Sequence, residues 1–273
     1  MQYRMIAVDL DDTLLDESSK ISNRSRLVIR EAIDQGIKFV IATGRMYKTS
    51  LHYMQEIDPD GDSPLINYHG ALVKTAHSKK VLLHRPLSNK LAVAIAGEAE
   101  SSGLNVSIFI DDTIYVDRES KVSKFYRSLT GIDINVVGSL TRFLSDNGKD
   151  PSKMSIISFD GEIEQAEKHF RKKFNGKVIA LQSRPYFLEI TDRLATKGQT
   201  LRWLAGQQGI SREEIIAFGD GYNDLDMVRY AGLGVAVANA RKEVIEAADL
   251  VTTAHNEDGV ARVIEKYILN RPA

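Results

Sequence analysis

The sequence predicts an α/β protein: a doubly wound parallel sheet into which an α+β segment has been inserted. Three observations predict it. Unalternated apolar runs end abruptly in polar residues, at Met5 to Val8 before Asp9, Phe39 to Ala42 before Thr43, and Ile215 to Phe218 before Gly219 and Asp220; runs of this kind suit strands buried on both faces. Helical periodicity fills the stretches beside these runs, the alternation expected of βαβ units. The middle of the chain breaks this alternation and mixes helices with closely spaced short strands.

The elements follow in order. After the first strand, Ser22 is placed to cap a helix whose apolar face is Val28, Ile29, Ala32 and Ile33, and Gly36 to end it. The second strand completes a βαβ unit. In the middle, helical patterns span Leu91 to Ser101 and Glu162 to Phe174, and strand patterns span Val106 to Ile110, Ile114 to Val116 and Met154 to Phe159. Asp111-Asp112 between two of these strands reads as a hairpin turn. After the third run, Leu225, Val228 and Ala231 recur at helical spacing, Gly234 to Val237 forms another strand, and Val260, Val263, Ile264, Tyr267 and Ile268 make the stripe of a final helix that packs on the sheet. The expected domains are residues 1–87 with 188–273 for the core and 88–187 for the insert.

Bulk composition limits the partners. The 273 residues are 43% hydrophobic and 27% charged, ordinary for a globular chain. Lys plus Arg (36) nearly balance Asp plus Glu (37), so no net field draws the protein to nucleic acid or an anionic membrane. The insert repeats this balance, with 14 basic and 14 acidic residues between 88 and 190. The absence of cysteine excludes disulfides, thiolate zinc sites and cysteine nucleophiles. Met1 to Arg4 lead straight into the first strand without the layout of a leader, and no apolar run approaches ~18 residues, so a cytoplasmic protein is expected.

In open parallel sheets, ligands bind beyond the carboxyl ends of the strands. The polar endings therefore bring Asp9, Asp11, Asp12, Thr13, Thr43, Gly44, Arg45, Asp220, Asn223 and Asp224 toward one crevice. Taken singly, each has a plain structural reading: Asp9 as a turn former, Arg45 as half of a surface ion pair, Lys197 as a solvated lysine at a helix start, Asp224 as a helix cap. Together they crowd carboxylates, which repel unless a cation is bound. An all-oxygen donor set suits Mg2+.

The ordered set Asp9-Leu10-Asp11-Asp12-Thr13, Thr43-Gly44-Arg45, Lys197 and Gly219-Asp220-Gly221-Tyr222-Asn223-Asp224 resembles the signature of the haloacid dehalogenase-like superfamily. The large insert, Asn239-Ala240 and Asn256-Glu257-Asp258-Gly259-Val260 are similar to its Cof-type branch. Three departures stand out: Asp12 where many relatives have Gly, His69 where the branch usually has Asn before Gly70-Ala71, and Asp192-Arg193-Leu194 in place of a common Pro-Lys-Gly.

The resemblance implies a Rossmann-like core, an insert acting as a cap, and a Mg2+-dependent phosphatase acting on a small phosphorylated metabolite. It implies Asp9 as nucleophile, Asp11 as acid and then base, and Thr43 and Lys197 as further catalytic groups. Phosphate binding would fall to Thr43, Gly44, Arg45, Lys197 and Asn223, and the metal to Asp9, Asp11 through its carbonyl, Asp220 and Asp224. The rivals are a phosphomutase, which would need a bisphosphate activator; a non-enzymatic phospho-acceptor module, which has a different strand order and no cap; and a degenerate binding protein on the same fold, against which the joint presence of Asp9, Asp11, Thr43, Lys197 and Asp220 argues.

Overall fold

The computed structural model describes residues 3–271; Met1, Gln2, Pro272 and Ala273, which the sequence reading counts with the core, lie outside them. Two compact units emerge, one from the residues up to Leu83 together with those from Thr196 on, the other from His84–Ala195. The division thus falls a few residues outside the expected 88 and 187.

In chain order the first unit begins with β1 (Met5–Val8), α1 (Asn23–Asp34), β2 (Lys38–Ala42), α2 (Tyr47–Ile57), β3 (Pro64–Asn67), β4 (Leu72–Thr75) and β5 (Val81–His84). The second unit holds α3 (Asn89–Ser101), β6 (Asn105–Ile110), β7 (Thr113–Val116), α4 (Lys121–Thr130), β8 (Ile134–Val136), α5 (Leu140–Asn147), β9 (Lys153–Ile157), α6 (Ile163–Lys173), β10 (Val178–Arg184) and β11 (Phe187–Asp192). The first unit resumes with α7 (Lys197–Gln207), β12 (Ile215–Gly219), α8 (Leu225–Tyr230), β13 (Leu233–Ala236), α9 (Lys242–Ala247), β14 (Leu250–Val251) and α10 (Gly259–Tyr267).

The sheet of the first unit runs β14-β13-β12-β1-β2-β3-β4-β5. From β14 to β3 every neighbouring pair is parallel, and β4 turns back antiparallel on β3. β1 is central because all its side chains are apolar and none touches water, as a strand covered by helices on both faces requires. Each such buried aliphatic side chain contributes about 1.5–3 kcal/mol relative to exposure. The capping expectation for α1 holds: the Ser25 N–H donates to Ser22 Oγ at 3.0 Å, and Gly36 leaves the helix at φ +91°.

The register decides the site. Val8 pairs with Ile41 on one side and Phe218 on the other. Asp9 therefore lies beside Ala42 and Gly219, one residue short of Thr43 and Asp220, at the carboxyl end of the central strands.

The second unit is a six-stranded sheet of order β10-β11-β9-β6-β7-β8, antiparallel except for β7 with β8. One face carries Ile108, Met154, Ile156, Leu188 and Ile190, packed with Ile95 and Ala96 of α3, Leu144 of α5 and Phe170 of α6. The alternate positions hold a buried ion pair, Lys153 Nζ to Glu189 at 2.9 Å. Asp111 and Asp112 form the expected hairpin turn, both at positive φ. Among the described residues no helix is long and apolar enough to cross a membrane.

Candidate active site

Asp9 follows β1 directly and stays in the sheet, its N–H donating to the Phe218 carbonyl at 3.1 Å. The chain then makes one wide turn, Leu10–Leu14, broken where Asp11 is extended and Asp12 has φ 57°. Asp is among the few residues other than Gly that take this conformation readily. The turn is fastened by the segment that follows β13: Asn239 Nδ2 donates to the Asp12 carbonyl at 2.8 Å, and its Oδ1 accepts the His255 N–H at 2.9 Å.

After β2, Thr43 is buried, and its hydroxyl oxygen accepts the Arg45 N–H at 3.1 Å. The hydroxyl proton remains for another acceptor. Arg45 turns back to Asp11, with Nη2 and Nε at 2.6 and 2.9 Å from the two carboxylate oxygens, while Nη1 reaches the Tyr53 hydroxyl at 3.2 Å. This bidentate fork is the strong form of an arginine–carboxylate contact. Gly44 leaves room for the His69 ring, which lies 2.3 Å from where a Cβ would stand.

Lys197 opens α7 with no exposed surface. Its Nζ donates to Asp9 Oδ1 at 2.5 Å and to Asp224 Oδ1 at 2.6 Å. Burial opposes its charge, but the Asp224 and Asp9 carboxylates outweigh burial and raise its pKa. Asp224 is fully engaged: its Oδ2 accepts the N–H groups of Asp220 and Gly221 at 3.2 and 3.0 Å. Asp220 accepts the Thr13 hydroxyl at 2.9 Å. Asn223 sits on the same turn with its amide oxygen over Gly221.

Charge does not balance here. Asp9, Asp220 and Asp224 offer oxygens all within 4.8 Å of one another, and among the described residues Lys197 is the one cation that bonds two of them. Burial pushes the Asp9 carboxyl well above its ordinary range; Lys197 opposes this, while Asp224, Asp220 and Asp11 add to it. Burial, with Asp224, pushes Asp220 up to about 7. Hard oxygen donors carrying more negative charge than the protein neutralises fit a divalent cation such as Mg2+. Asp9 and Asp220 are the better donors, since both oxygens of Asp224 already hold other groups.

The structure thus gathers Asp9, Lys197, Asp220 and Asp224 into one cluster and pairs Asp11 with Arg45. Arg45, read from sequence as a phosphate ligand, spends its fork on Asp11. Thr13, Asn239 and Asp226 had no assigned role, because the contacts that give them one join segments 28 or more residues apart in sequence; Tyr53 stands only eight residues from Arg45, but a lone tyrosine there carries no signal of its own. Thr13 and Asn239 did stand within the recognised motifs.

Residues 6–264 match the family described as haloacid dehalogenase-like hydrolase. The chain belongs to this family. A 5-amino-6-(5-phospho-D-ribitylamino)uracil phosphatase of Bacillus subtilis, YwtE, is 30% identical over 97% of this chain and 98% of its own. A haloacid dehalogenase-like hydrolase from Bacteroides thetaiotaomicron has a similar structure, with a TM-score of 0.87 at 30% identity over 97% of this chain and 99% of that one. The subclass IIB sugar phosphatase BT4131 superposes with a TM-score of 0.83 at 25% identity, over 97% and 98% of the two chains. The protein is a Cof-type phosphatase, a phosphoric monoester hydrolase.

Proposed function

We propose that this protein is a cytoplasmic, Mg2+-dependent phosphatase that releases phosphate from a small phosphorylated metabolite through an aspartyl-phosphate on Asp9. The observation that carries the reading is the buried lysine held between two carboxylates, Lys197 Nζ at 2.5 Å from Asp9 and 2.6 Å from Asp224. A lysine so placed fixes one Asp9 oxygen and leaves the other to attack phosphorus.

In this reading the Asp9 carboxylate forms an oxygen–phosphorus bond as the ester oxygen leaves. Asp11 takes up its proton as the phosphate dianion arrives, since adjacent negative groups repel. It passes that proton to the leaving oxygen, then accepts one from the water that cleaves the acyl phosphate. Arg45 aims Asp11 through its fork. The Thr43 hydroxyl, the Gly44 backbone and Lys197 receive the phosphoryl oxygens, with Asn223 beside them. Asp9, Asp220 and the Asp11 carbonyl would hold Mg2+, with Asp224 setting Lys197 and the Asp220 loop. The chemistry a bound Mg2+ supplies is neutralisation of phosphoryl charge, which lets one anion approach another.

The His84–Ala195 unit serves as the cap that selects the leaving group. Its balanced charge favours a small metabolite over a polynucleotide. The relatives named for a ribitylaminouracil phosphate and for sugar phosphates set the first substrates to try.

The test is phosphate release from a panel of these esters, flavin mononucleotide, pyridoxal phosphate and nucleotides. The wild type should turn over at least one metabolite with Mg2+ and stop in excess chelator. Asp9→Asn should be folded and inactive; substantial residual turnover by that variant would remove Asp9 as nucleophile.

A further inference from the structure

We infer that Asp226 is a positioning residue for Lys197, holding the backbone end of the lysine whose amine end is held by Asp224; the inference rests on the catalytic reading of Lys197. The two aspartates stand two residues apart on one turn, yet meet the lysine segment at opposite ends. Asp224 Oδ1 accepts from Lys197 Nζ at 2.6 Å. Asp226 Oδ2 accepts the N–H of Gly198, the next residue, at 3.0 Å.

The contact is built rather than incidental. The first N–H groups of a helix lack partners within it. In α7 the Thr196 hydroxyl takes the Gln199 N–H at 3.2 Å, and Asp226 takes that of Gly198. The negative carboxylate also suits the positive end of the helix. Gly198 has no room for a side chain: a Cβ there would lie 2.5 Å from the Asp226 carbonyl carbon and 2.7 Å from its carboxyl carbon. A glycine at this position lets α8 approach close enough for the bond. The lysine side chain is long and flexible, so its amine is placed only as well as its Cα. Securing both ends makes the 2.5 Å reach to Asp9 a fixed distance.

Asp226 touches neither Asp9 nor Lys197 Nζ through any of these bonds, so its effect travels through the start of α7. Asp226→Leu keeps side-chain bulk without an acceptor and should lower kcat on an aryl phosphate by about tenfold to a hundredfold, the range for a catalytic group displaced by a fraction of an ångström to an ångström. Asp226→Asn keeps an oxygen at the same reach and should restore kcat to within a fewfold of wild type. A residue that merely packs would lose stability without this split between Leu and Asn.

Hydrogen exchange at the Gly198 amide gives a readout independent of activity. It should be slow in the wild type and in Asp226→Asn, and at least about tenfold faster in Asp226→Leu, as expected when a lasting bond is lost. Wild-type kcat in the Leu variant, or equal exchange in all three proteins, would overturn the inference. A wild type that hydrolyses no phosphate ester at all would overturn the functional reading instead, and the exchange data would still decide the clamp.

Discussion

At the scale of single residues, the site is a set of charges that the protein alone does not balance, and this makes its stability depend on pH. Asp220 has an ordinary carboxyl value near 3.8 when unfolded and about 7 when folded. Between those values the folded chain holds a proton that the unfolded chain has released, so stability falls as pH rises across that window. Chelator-treated protein should therefore lose melting temperature from this group between about pH 4 and pH 7, and Mg2+ should raise melting temperature more at pH 8 than at pH 5. A Mg2+ shift that is the same at both would show that the ion does not use this carboxylate. Arg45 offers a second test. Arg45→Lys keeps the charge but loses the two-pronged grip on Asp11 seen at 2.6 and 2.9 Å. We expect kcat to fall about tenfold, the equivalent of about 1.4 kcal/mol, with little change in melting temperature. An unchanged kcat would show that Asp11 does not need aiming by Arg45.

At the scale of elements, much of the core was legible because its strands are apolar on both faces and stop sharply at polar residues. That pattern places Asp9, Thr43 and Asp220 together without any knowledge of tertiary contacts. β3 to β5 and the α2 helix were not read, since Pro64–Asn67 and Leu72–Thr75 are short and flanked by mixed residues, and β4 turns back antiparallel. The turn between β3 and β4 has a role that its sequence does not announce. Gly70 at φ +113° lies against the start of α7, where a Cβ would come within 2.4 Å of the Thr196 carbonyl oxygen, and its own carbonyl accepts the Thr200 hydroxyl at 2.8 Å. Gly70→Ala adds both a clash and a strained backbone, so it should cost about 1–3 kcal/mol. It should also lower kcat, because the displaced helix carries Lys197. Urea unfolding measures the first effect and steady-state kinetics the second; a variant destabilised at full kcat would uncouple the turn from the lysine.

At the scale of the whole molecule, the chain leaves one unit and returns to it. All eight strands of the larger sheet come from residues up to His84 or from Ile215 on, and the three that end at Asp9, Thr43 and Asp220 are adjacent at its centre. The His84–Ala195 unit contributes its own six strands and its own apolar core. Excising residues 85–195 and bridging the gap with a flexible Gly/Ser linker therefore removes no strand from the larger sheet, and the remainder should unfold in one cooperative thermal transition. Asp9, Thr43, Lys197 and Asp220 all stay, so the proposed chemistry should persist on an aryl phosphate, whose leaving group scarcely needs a proton from Asp11. Turnover of the best metabolite should fall much further, because the unit proposed to recognise its leaving group is gone. The measurement is the ratio of kcat/KM for the metabolite to that for the aryl ester in the two proteins. A drop in that ratio of about a hundredfold corresponds to about 2.7 kcal/mol of lost selectivity. If the ratio is unchanged, the leaving group is chosen by the loops at the sheet edge, and the inserted unit has some other task.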